Sequence, residues 1–449
     1  MAYSSGGRLP GESASKLGHL SVIKSDWVKS LVAEFEQASP QEIDHTNTIW
    51  EKFNPEGVTP LRNVWAVDGS YVAIQSEQKP PREVAFVKTA LLTVDRARLE
   101  AIDKEHPHPL LLQDVLTGSA IFHATVFPLK NIQTQLGNNY EAVRNIVKDS
   151  IRIDENGAFY ETLKWLAYRK WQRDQVSTSP GFECPHCHAN IGQGLPHDAD
   201  EGQCPACGKL VFLTDMIGFH LDMDEESAPD SVASAYMLVM ETLMLFTAVR
   251  VLWNHSDKSL VSETLFIKDG PLTLRSQYSK LVPSIRVFLE YARNSGRPVH
   301  IIGQEKSGAF FDHLASVARF AAPLERDQPA SVAVLSHDFV RREVHRSPDL
   351  ANPYGKRTNW GEKVYFKMDP GTYLVLNVPT GEYLDDVSKP TKDDLIGLSR
   401  VLATLPSLIS HKFEGALFPV ELANGIASMS SYPSASILQR FLNDQNHSS

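Results

Sequence analysis

Four cysteines and three isolated carboxylates are the residues of this 449-residue chain whose types and spacing could do chemistry. The cysteines are paired as Cys184-Pro-His-Cys187 and Cys204-Pro-Ala-Cys207, with 16 residues between the pairs. That is the spacing of a four-cysteine zinc ribbon, in which each short knuckle offers two thiolates from one tight turn. Four thiolates close a tetrahedral shell around Zn2+ and leave no position for water, so such a metal stabilises and does not catalyse. His186, His188 and His197 stand close by as alternative ligands, and with four cysteines available they read as bystanders. Redox exchange at the two C-x-x-C pairs is the competing chemistry, disfavoured by the ribbon spacing.

The carboxylates are singled out by their surroundings. Asp68, in Ala66-Val-Asp-Gly-Ser70, lies at the centre of an apolar run with Val64, Trp65 and Val72. Burying its charge without a partner would be costly. A turn aspartate before a glycine is the plain alternative, and on this stretch alone it is at least as good a reading. Phe266-Ile-Lys-Asp-Gly-Pro-Leu272 repeats the pattern at Asp269, and Glu241 sits inside Met237-Leu-Val-Met-Glu-Thr-Leu-Met-Leu-Phe246. A glutamate surrounded by apolar residues on every side of a helix is protonated, paired with a base or bound to a cation. Two strand-borne aspartates and a helix-borne glutamate suit a phosphodiesterase that holds hard divalent ions through oxygen.

Hydropathy patterning predicts the elements that carry these residues. An amphipathic helix is expected over 20–37, then strands over 64–74, 83–94 and 121–127. One long helical region, 139–173, leads into the cysteine segment. Beyond it, 231–253 reads as an almost wholly apolar helix bearing Glu241. Strand 263–269, helix 278–294 and strand 298–303 follow in βαβ-like order. A hairpin over 363–378 turning at Asp369-Pro-Gly371, and helices over 392–408 and 420–429, complete the pattern. The apolar helix approaches membrane-span length, but Glu241 and Arg250 interrupt it, so it is expected to be a buried central helix and not a span.

Composition sets the bounds. Hydrophobic content of 42% and charged content of 22% are ordinary for a globular protein, and the length fits one large α/β domain with insertions or two domains. The net charge of −10 argues against a protein that coats nucleic acid, without excluding a nuclease whose carboxylates hold metal. The opening residues, MAYSSGGRLPGESASKL, hold no apolar run of the signal-peptide kind and read as a disordered start. A reducing, cytoplasmic setting is expected. The stretch 303–308 lacks the form of a Walker loop, so no nucleotide hydrolysis by the chain itself is expected.

The Ala-Val-Asp-Gly-Ser-Tyr strand, the Glu-bearing apolar helix and the Phe-Ile-Lys-Asp-Gly-Pro-Leu strand resemble, in that order, the NurA nucleases. Leu417-Phe-Pro-Val-Glu-Leu-Ala-Asn-Gly-Ile-Ala427 looks like that family's closing motif. The resemblance spans 61–429 outside the cysteine segment. It implies a ribonuclease-H-like mixed sheet flanked by helices, with Mn2+ or Mg2+ held by Asp68, Glu241 and Asp269. It also implies 5′-to-3′ exonuclease and single-strand endonuclease activity on DNA. A homodimer docked on a HerA-like hexameric ATPase translocase, in end processing or antiphage defence, completes what it implies. The corresponding division is a disordered start and helical arm (1–60), a nuclease core in two parts (61–180 and 214–430), a zinc-ribbon insert (181–213) and a C-terminal tail (431–449). The insert is expected to dock DNA or the translocase.

Two features depart from that family. Where its closing motif has Tyr-Pro and then a histidine, this chain has Phe418-Pro419 and then Asn424, with His411 upstream as a substitute. The cysteine insert is the other departure. Together they leave a second reading open, a DNA-binding adaptor with weak or no catalysis that regulates a translocase. Lys306 is a candidate phosphate contact, though a solvated loop lysine is the plainer reading. Trp360, Tyr365 and Tyr373 would stack on bases if exposed, and core packing is the expectation for them.

Overall fold

Strand alternation is the main organising feature of this chain. A computed structural model describes residues 24–37, 49–96, 120–153, 157–174, 176–223, 231–317, 330–346, 354–369, 371–382, 389–410, 415–429 and 433–444. Contacts divide the chain into units of residues 1–48 and 49–449. In the first, the described part is helix α1 (Asp26–Gln37), with Trp27 exposed. The remainder of the expected disordered start lies outside the described residues.

In the second unit the strands are β1 (Glu51–Phe53), β2 (Asn63–Gln75), β3 (Glu83–Asp95) and β4 (Ala120–Lys130), the short pairs β5 (Phe182–Glu183) with β6 (Asn190–Ile191) and β7 (Glu201–Gln203) with β8 (Leu210–Phe212), then β9 (Thr264–Asp269), β10 (His300–Glu305), β11 (Ala330–Val334), β12 (Glu362–Lys367) and β13 (Tyr373–Val378). Nine of them form one mixed sheet in the order β1-β11-β12-β13-β10-β9-β2-β3-β4. The centre, β10-β9-β2, is parallel and both flanks are antiparallel. The helix between β9 and β10 makes the parallel pairing possible, since parallel neighbours need a crossover.

Helices cover both faces. They are α2 (Asn139–Arg152), α3 (Ala158–Ala167), α4 (Ser231–Asn254), α5 (Val282–Asn294), α6 (Ala309–Val317), α7 (Leu398–Thr404), α8 (Phe418–Ala427) and α9 (Ser434–Asp444). Val67 and Phe266 pack into the core beneath α2, α3, α4 and α5, while Val64, Ala66, Leu265 and Ile267 pack under α7 and α8. Alternation along β2 and β9 therefore separates two cores. A third, small core gathers Phe310 and Leu314 of α6 with Tyr365 and Val375.

The helical region expected over 139–173 contains two helices, α2 and α3. Gly157, at the start of α3, has φ of 63°, a left-handed conformation in which a right-handed helix cannot continue. The terminal stretch expected as a tail contains α9, whose Gln439 donates to the Gln75 carbonyl on β2. Among the described residues α4 alone is long and apolar enough to cross a membrane, and 83% of its most apolar window is buried. It packs on β2 and β3 as a core helix.

Candidate functional site

On the parallel strands β2 and β9 the last paired residues are Val67 and Lys268. Asp68 and Asp269 each follow by one position, so strand alternation turns both toward the same face. Lys268 points the other way, toward α4, where its Nζ lies 2.5 Å from Glu241 Oε2. Both partners are almost completely buried, at 1% and 3% side-chain exposure. Glu241 also crowds β2. A Cβ built on Gly69 would stand 2.7 Å from Glu241 Oε1 and 2.6 Å from Met237 Cγ, so only glycine allows this approach.

The three carboxylates line one cleft of about 290 Å³, walled by Gly69, Pro271, Gln304 and Lys306. Asp269 Oδ1 accepts from the Gly270 amide at 3.1 Å, and its Oδ2 pairs with Lys306 Nζ at 3.0 Å. Asp68 Oδ1 accepts from the Gly69 amide at 2.7 Å, whereas its Oδ2 is buried without a hydrogen-bond partner among the described residues. Burial pushes the Asp68 carboxyl up to about 8, and the neighbouring charges of Asp269 and Glu241 push the same way. The Gly69 amide and Lys306 oppose that rise. Burial also raises Glu241, against the pull of Lys268.

The cysteines form a second centre. Cys184 and Cys204 stand at the ends of β5 and β7, each opening a knuckle that the paired strand closes. Cys184 Sγ is 3.9 Å from Cys207 Sγ, and Cys187 Sγ is 3.8 Å from Cys204 Sγ. A tetrahedron with Zn–S bonds near 2.3 Å has edges of about 3.8 Å, so the four sulfurs fit a structural metal such as zinc. The knuckles match in backbone as well. His188 and Gly208, each next after the second cysteine, both take left-handed φ, 57° and 69°. His186, His188 and His197 are engaged elsewhere, with the Leu210 carbonyl, Glu183 and the Val176 carbonyl.

The chain matches no protein-family model and no curated protein sequence.

Of the residues singled out from sequence, Asp68, Glu241, Asp269 and Lys306 share the cleft. They do not form a closed ligand cluster. Among the described residues, the four cysteines are the sole group of three or more ligand-type side chains whose ligand atoms all lie within 4.8 Å of one another. Lys268 pairs with Glu241 on the α4 face, while the two aspartates alternate to the other face of the sheet. Asn424 is exposed on α8, and the side chains lining the cleft do not include it. His411 lies outside the described residues. Trp360 and Tyr365 are buried in the core and Tyr373 is half-buried, so the first two offer no stacking surface. Sequence reasoning passed over Lys268. The signal was present: a lysine inside an apolar strand needs a buried counter-charge, and Glu241 needed a buried base.

Proposed function

We propose that this chain is a divalent-metal-dependent deoxyribonuclease of the NurA type. The observation that carries the reading is Asp68 Oδ2, a buried carboxylate oxygen with no hydrogen-bond partner among the described residues, crowded by two further carboxylates in an open cleft. Such an arrangement is stabilised by a cation. The parallel sheet centre, antiparallel flanks and two helical layers are compatible with a ribonuclease-H-like fold.

Asp68 and Asp269 offer oxygen ligands of the type that Mg2+ or Mn2+ prefers, with Glu241 beside them. When bound, the metal supplies Lewis-acid polarisation of the phosphate and a more acidic water. The protein's own groups do the remaining work. Burial and the neighbouring carboxylates favour the protonated form of Asp68 at neutral pH in the metal-free protein, and Asp68 would have to lose that proton to serve as a ligand. Lys306 orients Asp269 through Oδ2 and is exposed enough to meet a phosphate of the substrate. Lys268 balances Glu241 inside the apolar layer. A HerA-like hexameric translocase, a homodimeric assembly, a cytoplasmic setting and work in end processing or antiphage defence complete the proposal.

Linear and single-stranded DNA incubated with Mn2+ tests it. The parent should degrade the DNA, and Asp68→Asn and Asp269→Asn should reduce cleavage to background with the fold retained. Variants that cut like the parent would remove the assignment. The adaptor reading draws on two observations: Asn424 lies away from the cleft, and lysines engage both Glu241 and Asp269. It is favoured if the parent stimulates a translocase ATPase and cuts nothing under excess Mn2+.

A further inference from the structure

The chain carries a net charge of −10, yet residues 341–357 hold five Arg or Lys against two acidic residues. Arg342, His345, Arg346, Lys356 and Arg357 are exposed. Among the described residues, no ion pair engages Arg342, Arg346 or Arg357. A stretch with three more basic than acidic residues on an acidic protein is where a polyanion would settle.

Its position ties it to the cleft by two routes. In the first, the Trp360 amide donates to the Leu272 carbonyl at 2.9 Å and the Leu274 amide to the Thr358 carbonyl at 3.0 Å. Leu272 directly follows Asp269-Gly270-Pro271, the wall of the cleft, so the chain that follows Lys356 and Arg357 is tied to the segment leaving that wall. In the second, Tyr354 packs its ring against His345 at 5.3 Å and Phe310 at 5.9 Å, joining the two basic segments. Lys363 lies 4.2 Å over the Phe310 ring and pairs with Glu305, which lines the cleft.

We propose that Arg342, His345, Arg346, Lys356 and Arg357 form a phosphate-binding ridge that guides a nucleic-acid strand into the carboxylate cleft. The ridge rests on the nuclease reading for its purpose, though its binding can be measured separately. A protein that neutralises phosphates releases counterions, and the logarithm of affinity then falls with log salt by about 0.7 per contact on a single strand.

The experiment compares the parent with an Arg342→Gln/Arg346→Gln/Lys356→Gln/Arg357→Gln variant. Anisotropy of a fluorescent single-stranded oligonucleotide is followed across a salt series without divalent metal. Hydrolysis of bis(p-nitrophenyl) phosphate with Mn2+ reports on the cleft alone. The variant should bind more weakly, with a salt slope shallower by roughly 3, and should hydrolyse the small diester like the parent. Equal thermal midpoints establish that the fold is retained, and Arg346→Gln alone should give a proportionate fraction of the loss. Unchanged affinity and slope in the variant, or no oligonucleotide binding by the parent, overturns the ridge. Lost binding in the variant, together with no cleavage of DNA or small diester by the parent, would leave the ridge standing and remove the nuclease reading instead.

Discussion

At the scale of single residues, the cleft is a problem of unbalanced charge. Asp68 has its carboxyl at about 8, against 3.8 for an ordinary aspartate. Between those values the folded protein holds a proton that the unfolded chain does not, so this group's contribution to metal-free stability is full near pH 4 and declines toward pH 8. Asp68→Asn removes the titration. In chelator, its thermal midpoint should rise relative to the parent as pH climbs from 5 to 8, and saturating Mg2+ should abolish the parent's decline. A constant offset between the two proteins over that range would show that Asp68 does not titrate there. Lys268 makes a second case. Lys268→Met strands a buried glutamate and should cost about 3–5 kcal/mol in denaturant unfolding, with less lost when Glu241→Gln accompanies it. A fully stable single variant would contradict the ion pair. The carboxylates were legible in the sequence because each charge interrupts an apolar run. Lys268 carried the same signal, a charge inside an apolar strand, but its pairing with Glu241 was not legible, because that depends on which face of the sheet α4 covers.

Among the elements, the contact between β2 and α4 is set by one missing side chain. Gly69→Ala would place a methyl group against Met237 and Glu241, and the expected loss is about 1–3 kcal/mol from forced separation of strand and helix. A denaturant midpoint equal to the parent's would mean that the two elements part without cost. Elements of this kind were readable where periodicity was strong. The expected strands over 64–74, 83–94 and 263–269 and the apolar helix over 231–253 correspond to β2, β3, β9 and α4 within one or two residues. Strands β1 and β11 were not read, since three and five residues carry too little alternation to stand out. The division of 139–173 into α2 and α3 was not specified, because the apolar repeat resumes beyond Gly157.

For the molecule as a whole, the cysteine insert is part of the main core. Phe182, Ile191, Leu195 and Val211 pack in the same cluster as Trp165, Leu166 and Leu243. Arg144 of α2 donates to the Leu210 carbonyl at 3.2 Å and grips Asp215, just past the insert, through two 2.8 Å hydrogen bonds, and Lys164 of α3 pairs with Asp198 and Asp200. Removing the metal with a strong chelator, or replacing Cys204 by Ser, should therefore lower the main unfolding transition. A separate minor melt that leaves the main one in place would show the ribbon to be independent. Spacing alone pointed to the four-cysteine cluster, while its integration was illegible because the residues that receive it lie on α2 and α3. The paired aspartates have a consequence in time. Val67 and Lys268 are neighbours in space and far apart in the chain, with the ribbon and α4 threaded between them. A growing chain therefore holds no complete cleft until β9 has emerged and slotted beside β2. A prematurely ended or clipped chain lacking either strand would carry at most one of the two aspartates, and so only part of the cleft's carboxylate set.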